Sequence, residues 1–497
     1  MKSLKFPSAQ TILLIIAALV TLLTWLVPAG KYDTLIYNTA DNTFTQTSTD
    51  KTTILEVNQK TLEDLGIKIP LEKFTSGDIY KAINIPNTYK KLDAQPQSIF
   101  DFLKSPIKGI IEAADIIFLV LIIGGLIGII NSTGAFDAGI AALADTLKGK
   151  EYLLIILVTI LVAAGGTTFG FAEETIAFYP ILIPVFLAAK YDALVAVACI
   201  FVGSSIGTMC STINPFSTII ASDAAGISWT TGVFGRLFML FSCLTICIIY
   251  IIRYANKVKK DPTTSIIYRQ QEAILEMFGK TTDVVTSFTT RLRLALVIFS
   301  LCFIIMIVGV VALDWWFIEM TTTFLVGAIL IGIITKIKES EFIDVFVKGA
   351  GDLLGVALII GIARGITVIM ADGLISDTML YYASDLTTGM NKGVFASAMT
   401  VIYAGLSFFI PSSSGMAVLT MPIMSPLADT VNVGRDIVVN TYQYGMGLFY
   451  LINPTGLILA SLAIVKVGFD KWLKFILPLF IILIVFTLLI MTISVYL

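Results

Sequence analysis

No histidine occurs anywhere in the 497 residues. That absence removes His-liganded metal sites, Ser-His catalysis and histidine proton relays. Cysteine is sparse as well. Cys199, Cys210, Cys243, Cys247 and Cys302 all lie in apolar stretches without CxxC spacing, and read as buried reduced thiols acting as small apolar residues. Charge is the third scarcity: Asp, Glu, Lys and Arg make up 14% of the chain, against about a quarter in soluble globular proteins. The net charge of −2, without any dense basic run, offers nothing to a nucleic acid. A GxxxxGK[ST] loop is missing, so energy for any work has to come from an ion or exchange gradient unless a partner subunit supplies it. Ser412–Ser414 with Lys466 leave only a weak Ser-Lys speculation, and the chain is expected not to be an enzyme and to need no cofactor.

What is present is apolar: 57% of the residues are hydrophobic and the mean hydropathy is +0.90. Several stretches run about 18–20 residues with few or no charges, enough to cross the hydrocarbon core as a helix. The alternating segments of an outer-membrane barrel are absent. The chain therefore reads as an all-α polytopic protein of a bacterial cytoplasmic membrane, with the lipid bilayer as its solvent. Residues 1–30 hold a basic start and a first apolar run, Thr11 to Pro28; Trp25, Pro28 and the lack of a small-x-small cleavage site predict a retained transmembrane helix. Residues 31–97 carry eight lysines and nine acids and read as a small extramembrane domain or a long loop.

Pro96 to Ala113 is amphipathic and predicts an interfacial helix leading into a membrane helix at 114–132. Further membrane helices are expected at 151–164, 193–210, 234–252, 294–313, 321–335, 353–371, 394–410, 437–452 and 472–496. Two interfacial stretches, 134–149 and 373–391, each follow a membrane helix. The loop from Arg253 to Arg293 has eight Lys/Arg against four acids, which with the basic N-terminus places both in the cytoplasm.

The chain also repeats itself. Leu121-Ile122-Ile123-Gly124, followed by Gly128, matches Leu358-Ile359-Ile360-Gly361, followed by Gly365, at an offset of 237. Gly170-Phe171-Ala172 with Thr175 matches Gly415-Met416-Ala417 with Thr420 at 245, and Ile213-Asn214-Pro215 matches Ile452-Asn453-Pro454 at 239. One tripeptide match is chance; three in order at nearly constant spacing predict two homologous halves. The expected layout is a first transport repeat over 98–253, a cytoplasmic loop over 254–293, linking transmembrane helices over 294–336 and a second repeat over 337–497. Five crossings per half, counting both sides of the Asn-Pro break, would make the repeats inverted and keep both basic segments inside.

Each half has two polar clusters at membrane depth. Gly165-Gly166-Thr167-Thr168-Phe169-Gly170-Phe171-Ala172-Glu173-Glu174-Thr175, closed by Pro180 and Pro184, corresponds to Pro411-Ser412-Ser413-Ser414-Gly415, closed by Pro422 and Pro426. Both predict a re-entrant hairpin, because irregular backbone at that depth survives only inside protein or beside a water-filled cavity. The second cluster is a helix broken at Asn-Pro: Ser211-Thr212-Ile213-Asn214-Pro215 with Ser217 and Thr218, and Asn453-Pro454-Thr455. A proline frees a carbonyl one turn earlier. Freed carbonyls with the oxygens of Ser211, Asn214, Asn453 and Thr455 suit Na⁺, and half-helix N-termini suit a carboxylate. The bland alternative is a proline kink with hydroxyls gluing helices together.

Glu173 and Glu174 are the most informative charges, since a carboxylate in the bilayer interior costs several kcal/mol unless neutralised, paired or hydrated. They would serve a cationic substrate group, a coupling proton or a cation; the structural alternative is an ion pair to Arg364. Arg364 could instead take a substrate carboxylate bidentately. A secondary carrier accounts for the repeat, the paired hairpins, the broken helices and the buried charges together. A channel would not need two matched cradles.

The block Gly170–Pro180, the Ser211–Pro215 block, Pro411–Gly415 and Asn453-Pro454-Thr455 resemble the YfcC/ArcD-type carriers. That group covers basic amino-acid antiporters and is related to the DcuC-type C4-dicarboxylate carriers of the ion transporter superfamily. The likeness spans Ser98 to the end plus the first helix, and little of 31–97. It implies a scaffold domain and a transport domain, a homodimer and an elevator motion. Carried over by position, it implies a binding region of Thr167, Thr168, Gly170, Glu173, Glu174, Ser211, Asn214, Ser412, Ser413, Ser414, Asn453 and Thr455, joined by Arg364 from the residue chemistry. The expected substrate is a small amino acid moved by exchange or by Na⁺- or H⁺-coupled uptake, the runner-up a C4-dicarboxylate.

Overall fold

A computed structural model describes residues 7–135, 149–278, 289–313, 315–387 and 389–496. Eight helices among them are long and apolar enough to cross a membrane. These are α1 (Ala9–Leu26), α5 (Ala114–Ser132), α10 (Val233–Lys260), α12 (Thr290–Ala312), α13 (Phe317–Thr335), α15 (Leu354–Asp372), α17 (Lys392–Phe409) and α21 (Phe469–Ser494). Their outward faces are Leu, Ile, Val and Phe, as in Ile481, Ile482, Val485 and Leu489 of α21. Such a surface suits hydrocarbon and not water.

Residues 30–91 depart from the helical rule. Strands β2 (Thr34–Asn38), β3 (Thr43–Thr47), β4 (Thr52–Leu55) and β5 (Ile83–Asn84) form an antiparallel sheet in the order β4-β3-β2-β5. The short helices α2 (Gln59–Asp64) and α3 (Glu72–Thr75) complete a small domain. It buries Leu35, Phe44, Leu62, Phe74 and Ile83, with Phe44 and Phe74 edge to face at 5.2 Å. Strands β1 (Gly30–Lys31) and β6 (Lys90–Lys91) pair and close its base. Thr24 of α1 accepts a hydrogen bond from the Gln97 amide at 2.9 Å, so the chain returns to α4 beside the point where it leaves α1.

Helix α4 (Ile99–Glu112) lies across α15, and α14 (Glu339–Asp352) lies across α5. Both crossings need glycine. A Cβ on Gly109 would sit 2.2 Å from the Gly361 carbonyl oxygen, and one on Gly349 would sit 2.4 Å from that of Gly124. Small residues let backbones approach this closely in lipid, where packing drives helix association.

The first hairpin differs from its expected bounds. Helix α6 spans Tyr152–Phe169, running through the Gly-Gly-Thr-Thr segment assigned from sequence to the break, and stops at Gly170 with φ 78°. It continues because Gly166 packs directly on the backbone of α8 (Ala193–Met209). The Thr168 hydroxyl donates back to the Ala164 carbonyl at 2.6 Å. A 3₁₀ turn over Glu173–Phe178 leads into α7 (Tyr179–Ala188). In the second hairpin, α18 (Ser413–Thr430) passes through Pro422 and Pro426 rather than closing at them.

The remaining helices are α9 (Ile220–Ala224), α11 (Gln271–Phe278), α16 (Ser376–Thr387), α19 (Arg435–Tyr450) and α20 (Ile458–Ile464), of which α19 lies within two residues of the expected 437–452. Helix α16 falls within the expected 373–391 stretch, while the 134–149 stretch lies, but for its ends, outside the described residues. All five cysteines are buried and free.

Candidate functional site

A helix leaves its last four carbonyls without partners. In both hairpins the Asn-Pro segment supplies them. The Asn214 Nδ2 donates to the Gly166 carbonyl at 3.2 Å, and the amides of Thr212 and Ile213 donate to the Thr167 carbonyl at 3.3 and 3.2 Å. At the other hairpin, Asn453 Nδ2 donates to the Ser407 carbonyl at 3.2 Å and the Thr455 hydroxyl donates to the Phe408 carbonyl at 3.0 Å. Each asparagine oxygen then accepts an amide across its own proline: Phe216 at 2.8 Å on Asn214, Thr455 at 3.0 Å on Asn453. Both asparagines are buried, so each ties the end of a hairpin arm to the broken helix behind it.

Around Asn214 the polar groups close into a buried knot. Ser211 Oγ meets Ser217 Oγ at 2.9 Å and also bonds Thr218. Gln443 of α19 donates to Ser211 Oγ at 2.8 Å, joining the two halves of the chain, and its own Oε1 has no hydrogen-bond partner among the described residues. Thr167 and Thr212 share a contact of 3.3 Å. Gly170 presses on this knot, since a Cβ there would lie 2.8 Å from Asn214 Nδ2.

The two tips differ. At the first, Glu174 accepts the Ala172 amide at 3.1 Å, Thr175 donates to the Ala172 carbonyl at 2.5 Å, and Ser204 bonds the Phe171 carbonyl. Glu173 is half-buried and within electrostatic reach of Arg364 and of Tyr450. At the second, Ser412 caps α18 by accepting the Gly415 amide at 3.2 Å. Tyr442 and Tyr450 of α19 donate to the carbonyls of Ser413 and Pro411 at 2.8 and 2.9 Å. Lys81 of the extramembrane domain donates to Ser414 Oγ at 2.7 Å.

Arg364 corrects an expectation. It does not pair with Glu173 or Glu174; its Nε meets Glu112 at 3.2 Å, and its side chain is 41% exposed. The physical reason is the α4–α15 crossing, which brings the end of α4 onto the face of α15 that carries Arg364. Asp223 and Arg236, given no role from sequence, are both fully buried. Lys73 reaches Asp223 at 3.0 Å, and Arg236 bonds the Trp229 carbonyl and, at 3.4 Å, Asn440.

Lys81, Glu112, Gln443, Tyr442 and Tyr450 were not found from sequence. No spacing marks Lys81 among the eight lysines of its segment, and the tyrosines face the tip only because α19 folds back on α18.

A family model described as "DcuC: C4-dicarboxylate anaerobic carrier" matches residues 6–496. An uncharacterized protein of Haemophilus influenzae is 44% identical over 482 residues, covering 96% of this chain and 94% of that one. The "Putative basic amino acid antiporter YfcC" of Escherichia coli is 31% identical over 485 residues, covering 94% and 92%. Among solved structures, the YdaH transporter of Alcanivorax borkumensis aligns at 12% identity with a TM-score of 0.38, covering 98% of both chains. MtrF of Neisseria gonorrhoeae, of a class of antimetabolite efflux pumps, aligns at 16% identity with a TM-score of 0.40, covering 99% and 96%. Scores that low add nothing to the sequence matches. With eight apolar helices and these relatives, the protein is a multi-pass membrane carrier, in keeping with a bacterial inner membrane. Matched over nearly its whole length, the chain belongs to the DcuC carrier family.

Proposed function

We propose that this carrier moves small amino acids, basic ones foremost, by exchange or ion-coupled uptake through alternating access. The observation that supports this best is the pairing of two alike Asn clamps with two unlike tips. Glu173 and Glu174 suit an ammonium or guanidinium group, while the hydroxyls of Ser412, Ser413 and Ser414 at the start of α18 suit a carboxylate. Thr167, Thr168 and Gly170 shape the first tip. Ser211 and Asn214, with Asn453 and Thr455, are the groups for a coupling Na⁺. A half-turn of the Gln443 amide would add Oε1 to the hydroxyls of Ser211 and Thr218.

The matched order of interfacial helix, membrane helix, hairpin and broken helix supports two inverted repeats over 98–253 and 337–497. The hairpins and broken helices would form the transport domain of an elevator, with α5, α12, α13 and α14, which share a hydrophobic cluster, in the scaffold of a homodimer. A C4-dicarboxylate coupled to Na⁺ or H⁺ is the second reading, favoured by the family description and by Arg364.

Thermal unfolding of detergent-purified protein, with amino acids and dicarboxylates each with and without Na⁺, separates the two. Selective stabilisation by arginine or ornithine is expected. Stabilisation by a dicarboxylate alone, strengthened by Na⁺, would overturn the amino-acid reading and keep the carrier.

A further inference from the structure

We propose that Lys81 of the extramembrane domain completes the substrate site, supplying the cation that receives a substrate carboxylate at the second hairpin tip. This rests on the reading that the hairpin tips hold the substrate.

Lys81 is held by a core rather than by a loose loop. Before it, Ile79 is buried and its amide donates to the Lys73 carbonyl at 2.9 Å; after it, Ile83 is buried in β5, opposite Leu35 of β2. Two further lysines of the domain anchor it to the membrane portion, and both are neutralised. Lys68 meets Asp429 at 2.9 Å, and Lys73 meets Asp78 at 2.9 Å and Asp223 at 3.0 Å. Lys81 differs. Its Nζ lies 2.7 Å from Ser414 Oγ, and none of the ion pairs among the described residues includes it.

A half-buried ammonium without a counter-ion is unfavourable, and an arriving anion relieves it. Arg364 sharpens the imbalance: burial first and the nearby Arg364 guanidinium second hold the Lys81 ammonium below the ordinary lysine range. Arg364 has Glu112 as its partner; Lys81 has the Ser414 hydroxyl and the Tyr80 ring, 5.5 Å from its ammonium, but no carboxylate among the described residues. The first turn of the 18-residue helix α18 adds its amides to the same place, beside the Ser412 cap. One carboxylate at the tip would meet Lys81, the Ser414 hydroxyl and these amides together. The shared ligand chemistry is a carboxylate, whether it belongs to an amino acid or to a dicarboxylate.

The test uses the full chain in proteoliposomes, with L-arginine and succinate as probes. Their carboxylate-free analogues, agmatine and succinamide, serve as competitors. For whichever probe is taken up, Lys81→Gln is expected to raise KM about tenfold, the worth of one charge-assisted hydrogen bond, with the maximal rate within about twofold. The analogue should compete equally well against both proteins, and Lys81→Arg should restore most of the affinity. Lys73→Gln loosens the same domain without touching the tip, and should leave the discrimination between probe and analogue intact.

An unchanged KM in Lys81→Gln overturns the proposal, as does equal weakening of probe and analogue. If Asn453→Ala at the same time abolishes uptake, the tip-binding reading survives that failure. If wild-type protein takes up neither probe, the proposal falls together with the reading beneath it.

Discussion

In the first half of the chain the hairpin turn at Gly170 leads into Glu173 and Glu174, the latter held by the Ala172 amide. In the second half the turn before Ser413 leads into three serines, braced by two tyrosines and touched by a lysine from outside the membrane portion. Behind both turns stands the same brace, an asparagine that donates to an orphan carbonyl and accepts an amide across a proline. The backbone solution is shared and the side-chain chemistry is not. The need to satisfy helix ends in lipid is identical in both halves, whereas on the amino-acid reading proposed above the two ends of the substrate differ.

The strongest way to break this comparison is to remove the braces one at a time. Asn214→Ala and Asn453→Ala each strand a buried carbonyl and a buried amide, so each is expected to cost about 1–3 kcal/mol and to abolish uptake. Thermal unfolding and proteoliposome uptake measure both, and a large effect at one site with none at the other would end the equivalence. The acidic tip comes next. Glu173→Gln and Glu174→Gln are expected to cut uptake of a cationic amino acid by about tenfold, the worth of a charge-assisted contact. Wild-type uptake in both variants would remove these acids from the function.

The crossings give a smaller, symmetric effect. Gly109→Ala and Gly349→Ala each drive a methyl into a facing backbone and should destabilise by about 1–3 kcal/mol apiece. Markedly unequal losses would show that one crossing yields where the other is rigid. The smallest effect concerns the exposed end of α18. A hydrogen bond from Arg435 first, and one from Lys68 as well, hold the Asp429 carboxyl down at about 2. Its folded value lies below the unfolded one of about 3.9, so its contribution is complete above that pH and is lost as pH falls through about 2. Unfolding between pH 5 and 2 should be less pH-dependent in Asp429→Asn; an unchanged slope would detach the domain contact from stability.

The sequence alone determined a great deal, because lipid is a strict solvent. Long apolar runs have only the helix open to them, so α1, α5, α15 and α21 were legible within two or three residues. The Asn-Pro breaks were also legible, since proline acts locally. Where helix α6 ends was not. Its glycines read as a break, but packing against α8 turned them into a crossing. Arg364 stood open in the sequence between an ion pair to Glu173 or Glu174 and a substrate carboxylate, and the α4–α15 contact gave it Glu112 as its partner.

The fold of 31–97 and the reach of Lys81 belong to tertiary structure entirely. Polar strands alternate weakly, and a lysine's position relative to a serine 333 residues away depends on how two separately folded parts meet. Local chemistry fixes where a membrane chain must be helical and where it must break. Only packing fixes which charges end up facing one another across the gap.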